Sequence, residues 1–459
     1  MKRIATTTMT GLVLLALPVL SGMSLGAFAQ EQKYAGTELH IGSVANGPTK
    51  IMTGFLDEFT AETGIIVTVE AMGNRDLFKK ITLESIGETG YFDLMRISPN
   101  YIPSFVEPGW LVPLDEFVER DGYDLADFIP SGLQMLGRRP GDDTLWAIPK
   151  NASSGMLTYR TDLFGDPNEK AAFEQKYGYE LNPPETFQQW LDTAEFFTRD
   201  TDGDGEMDLY GFGSSQQAPN AAAAWAMVLI WSMGGDILNE DETKVALNSP
   251  ESVAGFEWGL KMQKFQPKGV LAWATQDIKN MADGRMAMSM QLLPHARKLL
   301  KPETSRFHDR FAFTTVPVAE NNTRGYTTGK YLYGGGGFAM HAHSDNKEGA
   351  WEFMKWMFNK EQAMRFAEAG TLFPRYSVLQ SEEVLEAFPE YKKIIPVFRK
   401  TLEHVVKGRP QIAESSALVR VLGDAWQEAA LGQKTPAEAI AAADQRMKDI
   451  LREAGYPNP

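Results

Sequence analysis

The chain has 459 residues, no cysteine and a net charge of −15. That length exceeds what one hydrophobic core ordinarily organises, so two domains or lobes are expected, and the acidity speaks against nucleic acid or anionic membranes as partners. The missing cysteines exclude disulfides, a thiolate nucleophile, a cysteine metal site and a lipid tether.

Residues 1–29 read as a secretory signal peptide. Lys2 and Arg3 precede an apolar segment at 11–20, and Ala27, Phe28 and Ala29 form a small-x-small cleavage site before Gln30. No other stretch approaches the ~20 apolar residues of a membrane span, so a periplasmic protein without a membrane anchor is expected. Residues 38–41 read as a strand, after which Ile51, Phe55, Leu56 and Phe59 recur at helical spacing. A strand at 65–69, a helix at 76–85 and a strand at 92–97 follow. This alternation predicts a parallel sheet covered by helices. Ligands of such sheets sit beyond the carboxyl ends of strands, where Asn46, Asn74, Ser98, Asn100 and Tyr101 fall.

An apolar run at 145–148 stops at Pro149, the polar segment 151–155 includes Asn151 and Ser153, and a second apolar run occupies 156–159. The pattern fits a chain passing between two lobes as well as a bulged strand pair within one sheet. Phe187, Trp190, Leu191, Ala194 and Phe197 then line one helical face. Residues 222–233 form an apolar helix stopped by Gly234 and Gly235. Beyond 345 the chain reads as helical through Leu451.

Trp146-Ala147-Ile148-Pro149, followed by Tyr159-Arg160-Thr161-Asp162-Leu163-Phe164, resembles the first interlobe crossover of the bacterial extracellular solute-binding proteins of the sugar-binding family. These are the capture subunits of ABC importers. Gly109-Trp110-Leu111-Val112-Pro113-Leu114-Asp115, Ser232-Met233-Gly234-Gly235-Asp236 and Asn346-Lys347-Glu348-Gly349-Ala350-Trp351-Glu352-Phe353 extend the resemblance over the mature chain. It implies an α/β, two-lobed periplasmic binding protein fold, with two parallel-sheet lobes joined by a three-crossover hinge near 147–153, 312–318 and 340–345. Lobe 1 would hold 30–147 and 318–340, and lobe 2 would hold 153–312 and 345–459. The implied protein is a monomer that closes on a sugar, oligosaccharide or polyol and delivers it to the permease subunits. No catalysis and no required cofactor are implied.

A sugar site needs aromatic plates for C–H faces and Asn, Gln, Asp, Ser or Arg for hydroxyls. Trp225 and Trp273 each face the cleft or belong to the core, while Trp351, Phe353, Trp356 and Phe358 read as core. Gln291 joins the polar set. The aromatic that follows paired glycines in relatives falls here on Gly336, so Gly335 and Gly336 would admit a ligand closely and Tyr333 would supply the ring. Arg375 lies in a segment resembling the family's cleft-edge loop, and either grips hydroxyls or pairs with a carboxylate.

Asp200, Asp202, Asp204, Glu206 and Asp208 follow the spacing of a calcium loop, yet Gly211 replaces its bidentate glutamate. A weak structural calcium site and a solvated acidic turn both fit. His341 and His343 suit hydrogen bonding at a surface or hinge better than metal ligation. Two rival readings remain: an exported glycan-active enzyme, which needs two flanking carboxyl groups, and a binder of a non-sugar solute such as a polyamine.

Overall fold

Two sheets divide the chain. The computed structural model describes residues 33–139, 141–273, 275–404 and 406–459, and the signal peptide expected at 1–29 lies outside them. The strands are β1 (Glu38–Val44), β2 (Ile66–Met72), β3 (Leu94–Ile97), β4 (Ile148–Ser153), β5 (Gly155–Arg160), β6 (Tyr210–Gly213), β7 (Met286–Leu292), β8 (Phe311–Thr314), β9 (Tyr331–Leu332), β10 (Gly334–Met340) and β11 (Val406–Lys407). The first sheet has the order β2-β1-β3-β10-β4, the second β6-β7-β5-β8, and β9 pairs with β11 alone.

Both sheets are mixed. β1 runs parallel to β2 and β3, whereas β10 is antiparallel to β3 and β4. In the second sheet only β6 and β7 are parallel. The strand-helix alternation at the start of the chain builds the parallel part. Leu39 and Ile41 of β1 are wholly buried beneath the helices that follow.

The crossings between sheets fall at other places than the sequence suggests. Asn151 and Ser153 belong to β4 in the first sheet, and Ser154 alone separates them from β5 in the second. The first crossing is therefore at 153–155, because the polar segment is itself a paired strand. After β8 the chain stays beside the second sheet: Val318 bridges Thr186, and the Gly329 N–H donates to the Val316 carbonyl at 2.8 Å. The second crossing lies between β9 and β10, at 332–334, rather than at 312–318.

The third crossing comes later than 340–345. Trp351, Phe353 and Phe366, on the helices Lys347–Met357 and Lys360–Glu368, share a core with Leu39, Ile41 and Phe59. An amphipathic helix placed straight after β10 buries its apolar face on the sheet that β10 has just joined. The helix Tyr391–His404 contributes Ile394, Phe398 and Leu402 to the same continuous core, which also takes in Met286 of β7 and Phe311 and Phe313 of β8, so this helix lies where the two sheets meet. Only Ser415–Ala430 and Pro436–Glu453 join the second core, with Trp225, Trp231 and Phe256. Among the described residues no helix is long and apolar enough to cross a membrane.

Candidate functional site

The helix Asn220–Met233 is apolar all round and nearly every residue from Ala222 onward is buried, so it is a core element on which a site rests. Trp225 lies in an aromatic cluster, 5.5 Å from Phe212 in a stacked pair and edge-on to Trp190 at 6.0 Å and Trp426 at 6.5 Å. Its indole Nε1–H is buried without a hydrogen-bond partner. The same residue lines a cavity of about 240 Å³ together with Ser215, Asn220, Asp277, His295, Tyr331 and Arg409.

The wall opposite the rings is a polar network. Asp277 opens the helix Gln276–Ala282, where a carboxylate suits the unpaired N–H groups of the first turn. Ser215 Oγ donates to Asp277 Oδ1, and Gln291 Nε2 donates to Asp277 Oδ2 at 3.0 Å and to Ser289 Oγ at 2.7 Å. Burial pushes the Asp277 carboxyl above its ordinary pKa, against the pull of these bonds. Gln291 Oε1 is left without a partner. Tyr331 reaches the cavity across Gly155, where a Cβ would stand 2.3 Å from its ring, so only glycine leaves room for it.

Arg409 completes the wall. Tyr101 and Tyr331 are its charge neighbours, and burial lowers the guanidinium's pKa. It makes no hydrogen bond or ion pair among the described residues. The cavity thus offers the Arg409 guanidinium, the Asp277 carboxylate, the Ser215 hydroxyl and two ring faces, while Trp225 Nε1 and Gln291 Oε1 are unpartnered but wholly buried. Such a set holds a compact solute rich in hydroxyl groups, each of which both donates and accepts.

Of the residues singled out from sequence, Trp225 lines this cavity and Gln291 stands behind it, bonded to Asp277. Asn74, Ser98, Gly335 and Gly336 gather instead around Arg96. Its guanidinium donates to Asn74 Oδ1 at 2.9 Å, to Ser98 Oγ and to the Gly335 carbonyl at 2.6 Å. A Cβ on Gly336 would lie 2.6 Å from Arg96 Nε, so this glycine makes room for the arginine. Tyr101 stacks on Phe78 at 3.9 Å. Asn46 caps the helix Gly47–Thr53, accepting from the Thr49 N–H at 3.0 Å. Asn100, Asn151 and Ser153 are partly buried.

Three residues stand elsewhere. Trp273 borders a separate depression with Met207, Tyr210 and Arg285, beside the acidic turn. Tyr333 is buried in the first core, packed toward Gly132 and Pro374. Arg375 is 2% exposed and held by the protein: it pairs with Asp127 at 3.0 Å, donates to the Phe358 carbonyl and Tyr123 hydroxyl at 2.8 Å each, and lies 3.8 Å over Phe128. It is a structural ion pair, and its one unpartnered nitrogen, Nε, is buried away from any ligand. His341 is likewise internal, its Nε2 2.7 Å from Ser85 Oγ.

In the acidic turn, Asp200, Asp202 and Asp208 bring carboxylate oxygens within 4.8 Å of one another. Asp204 and Glu206 stay outside that group. Asp200 accepts backbone N–H groups of Gly203 and Gly205, which hold its carboxyl below the ordinary range.

Sequence reasoning missed Ser215, Asn220, Asp277, His295, Tyr331 and Arg409. The one available signal was Gly408-Arg409-Pro410, a cation in a break of an otherwise helical tail.

Residues 44–364 match the family model of the bacterial extracellular solute-binding protein. The erythritol/L-threitol-binding protein of Mycolicibacterium smegmatis is 24% identical over 398 residues, covering 79% of this chain and 78% of its own. An ABC transporter solute-binding protein from Agrobacterium radiobacter, solved with ribitol, aligns with a TM-score of 0.74 and 28% identity over 91% of this chain and 99% of that one. A third, from Agrobacterium vitis with bound D-mannitol, gives 0.70 and 23% over 92% and 100%. The family match spans most of the described chain, covering the helix beneath the cavity and, apart from β1, the strands of both sheets, and with it the chain belongs to the bacterial extracellular solute-binding proteins.

Proposed function

We propose that this protein captures a small polyol or sugar in the cavity at Trp225 and Arg409, in the periplasm, and hands it to the permease of an ABC importer. One observation carries the reading: Arg409, without a hydrogen-bond or ion-pair partner among the described residues, shares a cavity with Asp277 and the rings of Trp225 and Tyr331. At about 240 Å³ the cavity is smaller than the roughly 300–1,000 Å³ of pockets for drug-sized ligands, so it suits one small unit. The similar proteins named for erythritol and threitol, or solved with ribitol and D-mannitol, support a polyol.

In this reading the two sheets with their cores are lobes that close on the ligand as a monomer, bending at Ser154, at Tyr333 and after Glu368. The ligand leaves chemically unchanged and no cofactor takes part. Calcium at Asp200, Asp202 and Asp208 would bind weakly and away from the ligand, since Gly211 supplies no bidentate carboxylate. A polyamine fits poorly, because Asp277 is already engaged and Arg409 brings positive charge to the cavity.

A thermal-shift screen over alditols, monosaccharides, oligosaccharides and polyamines tests this. An alditol or monosaccharide at 100 times its Kd should stabilise the fold by ~2.7 kcal/mol. Stabilisation by polyamines with none by any polyol or sugar contradicts it.

A further inference from the structure

A cation withdrawn from water is ordinarily paired with a carboxylate, because the charge otherwise loses its solvation without a return. The chain follows that rule at its buried Arg160 and Arg375, which pair with Asp162 and Asp127. Three other cations break it. Arg409 lines the Trp225 cavity with no ion pair or hydrogen bond among the described residues. Arg96, near the carboxyl end of β3, donates only to neutral oxygens, those of Asn74, Ser98 and Gly335. Lys150, on β4, meets a thioether and aromatic rings but no acid.

These cations come from distant segments and stand near one another. Phe338 of β10 is opposite Arg96 in the strand pair, and Lys150 Nζ lies 5.0 Å from its ring. Tyr101 is a charge neighbour of both Arg96 and Arg409. Its turn, Pro99–Tyr101, packs on the helix Ser415–Ala430 just beyond Arg409. Burial lowers the Arg96 guanidinium to about 10, as expected of a cation without a counter-charge. Against them the cavity sets a single acid among the described residues, Asp277, whose carboxyl burial pushes toward the neutral form. In a chain of net charge −15, this wall is locally positive.

We propose that the ligand is an acidic polyol: a compact polyhydroxy chain or sugar carrying one anionic group, a carboxylate or a phosphate, seated on the Arg409 guanidinium with its hydroxyls toward Ser215 and Asp277. Arg96 acts without touching it, since a charge in a medium of low polarity is felt over several ångströms. A neutral alditol binds in the same place with a hydroxymethyl group where the anion would be. It keeps the hydroxyl contacts and loses the charge pairing. This rests on the polyol or sugar reading above.

Calorimetry of ribitol and D-mannitol against the matching aldonates, ribonate and mannonate, and the matching alditol phosphates tests it. At least one anion should bind at least about tenfold more tightly than its alditol, the gain from bonding a charged partner in place of a neutral hydroxyl. A tighter aldonate assigns the carboxylate, and a tighter alditol phosphate assigns the phosphate. Arg409→Lys should keep most of this preference because it keeps the charge, and Arg409→Gln should abolish it because it keeps only a neutral donor. An alditol that binds as tightly as its anionic counterparts, or a preference that survives in Arg409→Gln, overturns the proposal and leaves the polyol reading in place. Binding by neither class overturns that reading, and this inference with it.

Discussion

Trp225 is held by Phe212, Trp190 and Trp426, its ring lines the cavity, and its indole N–H is buried without a partner. Trp225→Phe should keep most of the aromatic packing while shrinking the ring face at the cavity, weakening ligand binding by about 0.5–1.5 kcal/mol with little change in melting temperature. Trp225→Ala should cost about 3–5 kcal/mol of stability as well, because it opens a cavity among rings. Calorimetry and thermal melts separate the two, and unchanged affinity in Trp225→Phe would remove the indole from the site. Arg375 behaves oppositely. Arg375→Met should cost about 1–3 kcal/mol of stability by leaving the half-buried Asp127 and the buried Phe358 carbonyl without their guanidinium partner, and leave ligand affinity as it was. The sequence offered both roles for Arg375 and could not choose, since its partner Asp127 lies 248 residues away. Arg409 was passed over for the same reason. Its neighbours Tyr101 and Tyr331 come from two distant segments, and nothing local marks a cation as unpaired.

At the scale of elements, β4 carries a feature that alternation alone would forbid. Lys150 is 1% exposed, and its Nζ has only the Met52 thioether within bonding distance, at 3.9 Å, with the Phe338 ring 5.0 Å away. Burial, helped by the charge of Arg96, lowers its pKa to about 7. Between that value and the ordinary 10.5 the unfolded chain holds a proton that the folded chain has lost. Stability should therefore rise with pH from about 7 to 10.5, with the full penalty present below about 7. Lys150→Met should raise the melting temperature at neutral pH and flatten that rise. Melts across the alkaline range check it, and an unchanged slope would show that Lys150 stays charged in the fold.

The elements themselves were largely legible. Residues 222–233 show an apolar helix and become Asn220–Met233, and the strand-helix-strand start becomes the parallel part of the first sheet. The crossings were not. A strand's sheet is decided by pairing partners far along the chain: β10 lies between β3 and β4, and Trp351 packs on Leu39. Local pattern marks where strands begin and end but carries no trace of which sheet receives them.

For the whole molecule, two sheets joined by a crossing at Ser154, another between β9 and β10 and a third after Glu368 make a structure with a natural line of bending. Saturating ligand should shrink the radius of gyration in small-angle scattering, and an unchanged value with a bound ligand would count against closure. The family was legible because its short motifs recur in order along the chain, even though each motif alone is weak. The ligand was not, because Asp277, Gln291, Tyr331 and Arg409 come together only in the folded protein.

The most direct test of capture in this cavity is calorimetric titration of erythritol, ribitol and D-mannitol into the wild-type protein and Arg409→Ala. At least one alditol should bind the wild type, and the variant should bind it about ten- to a hundredfold more weakly, the loss expected for hydrogen bonds from a charged donor. Its melting curve without ligand should match the wild type, since Arg409 has no partner in the fold to lose. Full affinity in Arg409→Ala would contradict the account.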